Sequence, residues 1–82
     1  MTYEIHWRLQ ALQEAERLAV TDPEGIRQVF DSADLLAEDP RPQGSFPYGV
    51  NIRRIHVGRY RVMYEIEDGR LTIIVFHLGR TP

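Results

Sequence analysis

Apolar and polar residues alternate one by one at the start of the chain and through its last third, and between these stretches the apolar residues recur every three or four positions. From Arg53 to Arg80, RRIHVGRYRVMYEIEDGRLTIIVFHLGR reads as three antiparallel strands with turns at Gly58-Arg59 and Asp68-Gly69. Each turn pair is flanked by period-two apolar residues, as a tight hairpin requires. Two-residue loops fix the register by counting, because antiparallel partners sum to a constant. Val57 then faces Tyr60, His56 faces Arg61, Ile55 faces Val62 and Arg54 faces Met63. In the second hairpin Tyr60 faces His77, Arg61 faces Phe76, Val62 faces Val75 and Met63 faces Ile74. One face collects Ile55, Val57, Tyr60, Val62, Tyr64, Ile66, Leu71, Ile73 and Val75 as the core side. The other collects Arg54, His56, Arg61, Met63, Ile74, Phe76 and Leu78, joined by Arg80 if the strand runs that far.

Ahead of this meander, Thr2 to Trp7 alternates, with Tyr3, Ile5 and Trp7 on one side, and predicts a half-buried strand added at an edge of the later sheet. Arg8 to Val20 lacks Gly and Pro and sets Leu9, Leu12, Ala15, Leu18 and Ala19 on a helical stripe. Thr21-Asp22-Pro23-Glu24 has the form of a capping box with Thr21 as the cap. It opens a second helix with Ile26, Val29, Phe30, Ala33 and Leu36 as its apolar set. Pro40 limits that helix to about Glu38-Asp39. The loop PRPQGSFPYG returns the chain to the sheet. Its Phe46 and Tyr48 read as cover for the edge of the core, with base stacking as the alternative. The fold expected is α+β: an N-terminal edge strand, a helical hairpin on the core face and a three-stranded antiparallel meander, β-α-α-β-β-β, forming one domain over residues 1–82.

Composition narrows the function. The 82 residues contain no cysteine, so disulfides and thiolate metal sites are excluded, which suits a reducing compartment. No apolar run approaches the roughly 20 residues of a membrane span, and no signal pattern opens the chain, so a soluble cytoplasmic protein is expected. The net charge of −2 speaks weakly against nucleic acid as a partner. Its placement is uneven, however. Residues 1–39 carry Arg8, Arg17 and Arg27 against nine acids, whereas residues 40–82 carry seven arginines against Glu65, Glu67 and Asp68. Local fields steer ligands more than totals do, and the arginine fork grips phosphate or carboxylate in a bidentate way. Arg54, His56, Arg61 and Arg80 around Phe76 on one sheet face therefore have the makings of an anion site.

The run Arg54-Ile55-His56-Val57-Gly58-Arg59-Tyr60-Arg61-Val62-Met63-Tyr64-Glu65-Ile66, followed by His77-Leu78-Gly79-Arg80, resembles the pattern of the RelE/ParE toxin superfamily. The order of elements agrees along nearly the whole chain, and the motif match is specific from about Asn51 onward. The resemblance implies the toxin of a type II toxin–antitoxin system, with a cognate antitoxin as partner. RelE-like members are messenger-RNA endonucleases acting on the ribosome. ParE-like members inhibit DNA gyrase. A degenerate, non-toxic antitoxin-binding module is a third possibility.

Metal-free RNA cleavage needs a base for the 2′-hydroxyl, positive charge for the phosphorane and an acid for the departing 5′-oxygen. By resemblance, Arg61 matches the family's central arginine and Arg80 the one near the end of the last strand. Arg54 and His56 lie on the strand that supplies basic residues in nucleases of this family. His56, where most relatives carry Arg or Lys, is the candidate acid or base. Arg53 and Arg59, off the main face, and Phe76 on it, are candidate RNA contacts. No metal or other cofactor is expected. The chain ends at Thr81-Pro82 without the tail that bears a Tyr or His in active RelE-like nucleases, so Tyr48 or His6 could substitute only if the fold brings them to Arg61. His77, with core parity, reads as structural, as do Tyr60 and Tyr64.

Overall fold

A computed structural model describes residues 2–82. Strand β1 (Glu4–Trp7) is followed by helices α1 (Leu9–Ala19) and α2 (Pro23–Leu35), then by strands β2 (Phe46–Pro47), β3 (Ile52–Val57), β4 (Tyr60–Glu67) and β5 (Thr72–Arg80). The five strands form one sheet in the order β1-β5-β4-β3-β2. β1 is the expected added edge and runs parallel to β5, while the other pairs are antiparallel. Among the described residues no helix is long and apolar enough to cross a membrane.

The helices differ in detail from what periodicity predicts. In α1 the buried residues are Ala11, Ala15 and Leu18, whereas Leu9 is 67% exposed and Leu12 37%. Two alanines on the inner stripe let the backbone come close to the sheet, and the larger leucines are rotated outward. The cap of α2 is Asp22, whose Oδ1 accepts from the Gly25 N–H at 3.0 Å. This frame sets Pro23 at the first helical position, where a missing N–H costs nothing. Thr21 instead turns back to the Leu18 carbonyl at 3.4 Å, and Glu24 pairs with Arg27. Regular helix ends at Leu35, earlier than expected. The chain then tightens through bonds from Leu36 to Ala33, Ala37 to Asp34 and Glu38 to Leu35, as helix ends often do.

The β3–β4 hairpin has the counted register throughout, from Val57↔Tyr60 to Ile52↔Glu65. The second hairpin does not. Its connection is a 3₁₀ turn over Asp68–Arg70 followed by Leu71 in the left-handed region at φ 49°. The turn is anchored because Asp68 accepts from the Tyr3 hydroxyl at 2.7 Å and from Arg41 at 3.0 Å. Two extra loop residues slide the pairing to Glu67↔Thr72 and Tyr64↔Val75. Beyond that point a β-bulge leaves Phe76 unpaired, and the ladder resumes as Met63↔His77, Val62↔Leu78, Arg61↔Gly79 and Tyr60↔Arg80. The expected pairs Tyr60–His77, Arg61–Phe76, Val62–Val75 and Met63–Ile74 are therefore replaced.

The bulge inverts the faces of the strand's second half, since one added residue shifts a period-two pattern by one. Leu78 is buried at 3% exposure rather than outward, and His77 is exposed rather than in the core. Arg80 shares the helix-side face of its partner Tyr60.

Both helices pack on one side of the sheet. There Tyr60, Val62, Tyr64, Ile66, Ile73, Val75 and Leu78 meet Ile26, Val29 and Leu36, with the rings of Trp7 and Phe30 in tilted contact at 4.6 Å between centroids. Burying such side chains is worth about 1.5–3 kcal/mol each before entropy is counted. The tyrosine hydroxyls in this layer are satisfied, Tyr60 by Asp22 at 2.6 Å and Tyr64 by the Pro40 carbonyl at 2.7 Å. Among the described residues no helix packs on the opposite face.

Candidate nucleic-acid interface

Arg61 stands on the open face, exposed, near the end of the sheet that carries the β3–β4 turn. His56, also exposed, is its cross-strand partner on β3, and Gly79 is its partner on β5. The glycine leaves room for a neighbour. A Cβ on residue 79 would lie 3.0 Å from Nε2 of His77, so the imidazole rests over the gap that a side chain would fill. Arg61 thus has His56 as its neighbour on β3, and the ring of His77 lies over Gly79, its neighbour on β5. Sequence reasoning missed His77 because the bulge changes its face. A glycine inside a strand was the available signal, since it marks a bulge or a close approach.

Arg54 occupies the same open face. Its guanidinium carbon lies 5.1 Å from the centroid of Phe46 and 5.5 Å from that of Tyr48, whose centroids are 5.3 Å apart at an angle of 58°. Nη1 donates to the Tyr48 hydroxyl at 2.6 Å, while Nε is buried without a partner. Phe46 pairs with Arg54 across β2–β3, and the two rings are 52% and 49% exposed. They do not cover the edge of the core. Tyr48 sits at Arg54 and not at the Arg61 rung. His6 bonds to Glu4 at 2.9 Å and lies on the rung of Ile74 and Glu65, four residues along β4 from Arg61, or about 13 Å of strand. It does not join the site.

The remaining candidates separate. Arg80 and Arg59 flank the cap of α2 at the sheet end, where a cleft of about 270 Å³ is lined by Asp22, Gln28, Arg59 and Tyr60. The Asp22 carboxyl is held below its usual range, first by the Tyr60 hydroxyl and the Gly25 N–H, then by the charges of Arg59 and Arg80. Arg80 therefore does not share the face of Arg54 and Arg61, although Tyr60↔Arg80 and Arg61↔Gly79 are adjacent rungs. Thr81 ties this end to the turn, its N–H and hydroxyl both donating to the Arg59 carbonyl at 2.7 and 2.8 Å. Arg53, partner of buried Tyr64, points to the helix side and bonds to Ser45 Oγ at 2.8 Å. Phe76, the bulge residue, lines a shallow hollow with Arg8, Gln10, Ile52 and Glu65, away from Arg61.

The distribution of charge sharpens this picture. Arg17, Arg27 and Arg41 are ion-paired with nearby carboxylates. Among the described residues Arg54, Arg59, Arg61 and Arg80 form no ion pair. The open face is basic toward the β3–β4 turn and acidic toward Glu65 and Glu67 at the far end of β4. Among the described residues no three His, Asp or Glu side chains gather to hold a metal ion.

A family model for the ParE toxin of type II toxin–antitoxin systems, parDE, matches residues 5–81. The chain belongs to this toxin family. Solved structures agree on the fold. The toxin is similar to the isolated Escherichia coli RelE toxin, with 22% identity and a TM-score of 0.81 over 98% of this chain and 85% of that one. It is likewise similar to a chain of the RelBE2 toxin–antitoxin complex of Mycobacterium tuberculosis, with 18% identity and a TM-score of 0.82 over 98% and 99% of the two chains. A chain of the archaeal RelE–RelB complex of Pyrococcus horikoshii gives 20% identity and 0.80, over 98% and 96%. Comparison with curated proteins finds no match. The expected superfamily and its α+β fold are thus those of this toxin, while identities this low carry the architecture and not the chemistry.

Proposed function

We propose that this toxin is a metal-independent endoribonuclease that cuts messenger RNA on the ribosome, in the cytoplasm, as a single domain over residues 1–82, and that a cognate antitoxin holds it inactive. The observation that carries the reading is Arg61, exposed and without an ion pair among the described residues, with His56 across from it on β3 and the His77 ring over Gly79, its partner on β5. In-line cleavage then proceeds with one imidazole taking the proton of the 2′-hydroxyl as that oxygen attacks phosphorus. The bond to the 5′-oxygen breaks, and the other imidazolium returns a proton to the leaving oxygen. The products are a 2′,3′-cyclic phosphate and a 5′-hydroxyl. The Arg61 fork holds the charge that builds on the non-bridging oxygens, with Arg54 and, at the rim, Arg59 and Arg80 holding neighbouring phosphates.

Primer extension on translated messenger RNA after controlled expression tests this. Wild type gives new 5′ ends. Arg61→Ala lowers their yield by about 10²- to 10³-fold, the usual effect of losing one transition-state donor. His56→Ala and His77→Ala each lose cleavage, as removal of a proton-transferring group requires. If wild type and Arg61→Ala leave identical transcripts, the nuclease reading is wrong.

Antitoxin binding draws support from the structural relatives in M. tuberculosis and P. horikoshii, both toxin–antitoxin complexes. A groove of about 470 Å³ between the end of α2 and β3, lined by Leu35, Leu36, Pro42, Ile55 and Val57, also borders His56. An apolar antitoxin segment laid there covers one wall of the site. Gyrase inhibition is the second reading, favoured by the ParE description of the matched family. A supercoiling assay separates the two, since a gyrase poison needs no proton transfer and stays toxic as His56→Ala.

A further inference from the structure

We propose that Phe46, Tyr48 and Arg54 form a stacking site for one base of single-stranded RNA, next to the phosphate held at Arg61. The inference rests on the nuclease reading for the identity of the nucleic acid, and on the geometry of the cluster for the rest.

Two large aromatic rings stand about half exposed on a loop that has no core to cover. They are not loose. Phe46 and Pro47 pair with Arg54 and Arg53, and the Tyr48 N–H donates to the Ile52 carbonyl at 2.8 Å. Pro47, between the rings, fixes one more backbone torsion. The guanidinium of Arg54 completes a nearly equilateral triangle with the ring centroids, with sides of 5.1, 5.5 and 5.3 Å. The inner sides of the wedge are thereby filled and the outer sides stay open. A ring held this way loses little freedom when a flat ligand settles on it.

The charge at the root of the wedge selects the ligand. Arg54 is held by two ring faces and the Tyr48 hydroxyl, with no carboxylate neutralising it among the described residues. A flat group bearing a nearby negative charge fits aromatic faces beside an uncompensated cation, and a nucleotide is such a group. Single strands are favoured over duplexes because only unpaired bases present a free face. The site is also correctly placed. Arg54 and Arg61 share a face, two residues along β3 and one strand across, a separation of about 8 Å between Cα atoms by strand geometry. A base on the wedge belongs to a nucleotide adjoining the one cut.

The test uses the full chain and a fluorescein-labelled 2′-O-methyl hexanucleotide, which lacks the attacking hydroxyl and cannot be cleaved, with anisotropy as the readout. Phe46→Ala and Tyr48→Ala each weaken binding by about 5- to 100-fold, the range for losing one base–aromatic stack, and Phe46→Trp preserves it. An abasic oligonucleotide with the same phosphates binds wild type as weakly as the alanine variants bind the intact one. Both substituted side chains are exposed, and unchanged thermal midpoints show that the variants are folded. Equal binding by wild type and both alanine variants, or equal binding of abasic and intact oligonucleotides, overturns the stacking site. So does an absence of RNA binding together with loss of antitoxin co-purification in Phe46→Ala, which makes the wedge a protein-docking surface. Arg61-dependent cleavage with unaffected Phe46 and Tyr48 variants leaves the nuclease and removes the wedge. Stacking-dependent binding without cleavage does the reverse.

Discussion

Gly58 sits in the turn that places His56 opposite Arg61, and its φ of +60° lies in the left-handed region. A Cβ there meets nothing within 4 Å, so Gly58→Ala perturbs the backbone alone. The left-handed conformation costs an L-residue about 1–2 kcal/mol. The alanine also removes freedom from the unfolded chain, which returns about 0.4–1 kcal/mol. The net destabilisation is therefore on the order of 1 kcal/mol, which for a domain of this size lowers Tm by about 4–8 °C. In urea the midpoint moves down by roughly 0.5–1 M at unchanged slope. Gly58→Asn loses less, because asparagine tolerates this region, and Gly58→Val loses more. Circular dichroism melts and urea titrations of the three variants supply the comparison. The reasoning is refuted if alanine is neutral or stabilising, or if asparagine is no better than valine, since the two-residue turn and the register counted from it would then be wrong.

Three further outcomes follow from the same geometry. Gly79→Ala sets a methyl group 3.0 Å from His77 Nε2, so the imidazole moves off the Arg61 rung; cleavage falls as it does in His77→Ala while the melting curve stays near wild type. Tyr64→Phe removes the bond to the Pro40 carbonyl and costs about 1–3 kcal/mol, read by urea unfolding, because the acceptor loses its partner under the loop. The Asp22 carboxyl lies below its usual range, chiefly through the Tyr60 hydroxyl, and Asp68 does so chiefly through Arg41. Their contribution is complete above the unfolded carboxylate pKa of about 4 and is lost as pH falls through the lower folded values. Tm measured from pH 6 to pH 2 drops on the acid side, and the drop is shallower in Asp22→Asn and Asp68→Asn.

The sequence was most legible where structure is local. Gly58 permits a two-residue turn, so β3 and β4 could be registered by counting, and the His56–Arg61 pair follows from that. The first helix was legible in extent because no breaker interrupts residues 8–20, whereas the second stops at Leu35, short of the limit that Pro40 sets. What the sequence hid depends on contacts across the fold. Asp68 is held by Tyr3 and Arg41, 65 and 27 residues away, and that tether makes the second turn longer than its Asp-Gly pair suggests. The bulge at Phe76 carries no local mark except Gly79, and it alone moves Leu78 inward, His77 outward and Arg80 to the other face. Leu9 and Leu12 fit the helical stripe as well as Ala11 does; only the close approach of α1 to the sheet decides which of them is inside. Phe46 and Tyr48 read as core cover until Arg54 is seen to hold them.

The unpaired Phe76 has a bearing on how this toxin is compared with its kin. A column-by-column alignment across β5 with a homologue that lacks the extra residue equates positions that look in opposite directions from 77 onward, unless a single gap is opened at 76. Inward and outward roles would be exchanged for the whole tail of the strand, and a conserved arginine transferred along such a column would be assigned to the wrong side of the molecule. One insertion or deletion at this point is thus a larger evolutionary step than most substitutions in the core, since it reverses a series of side chains at once.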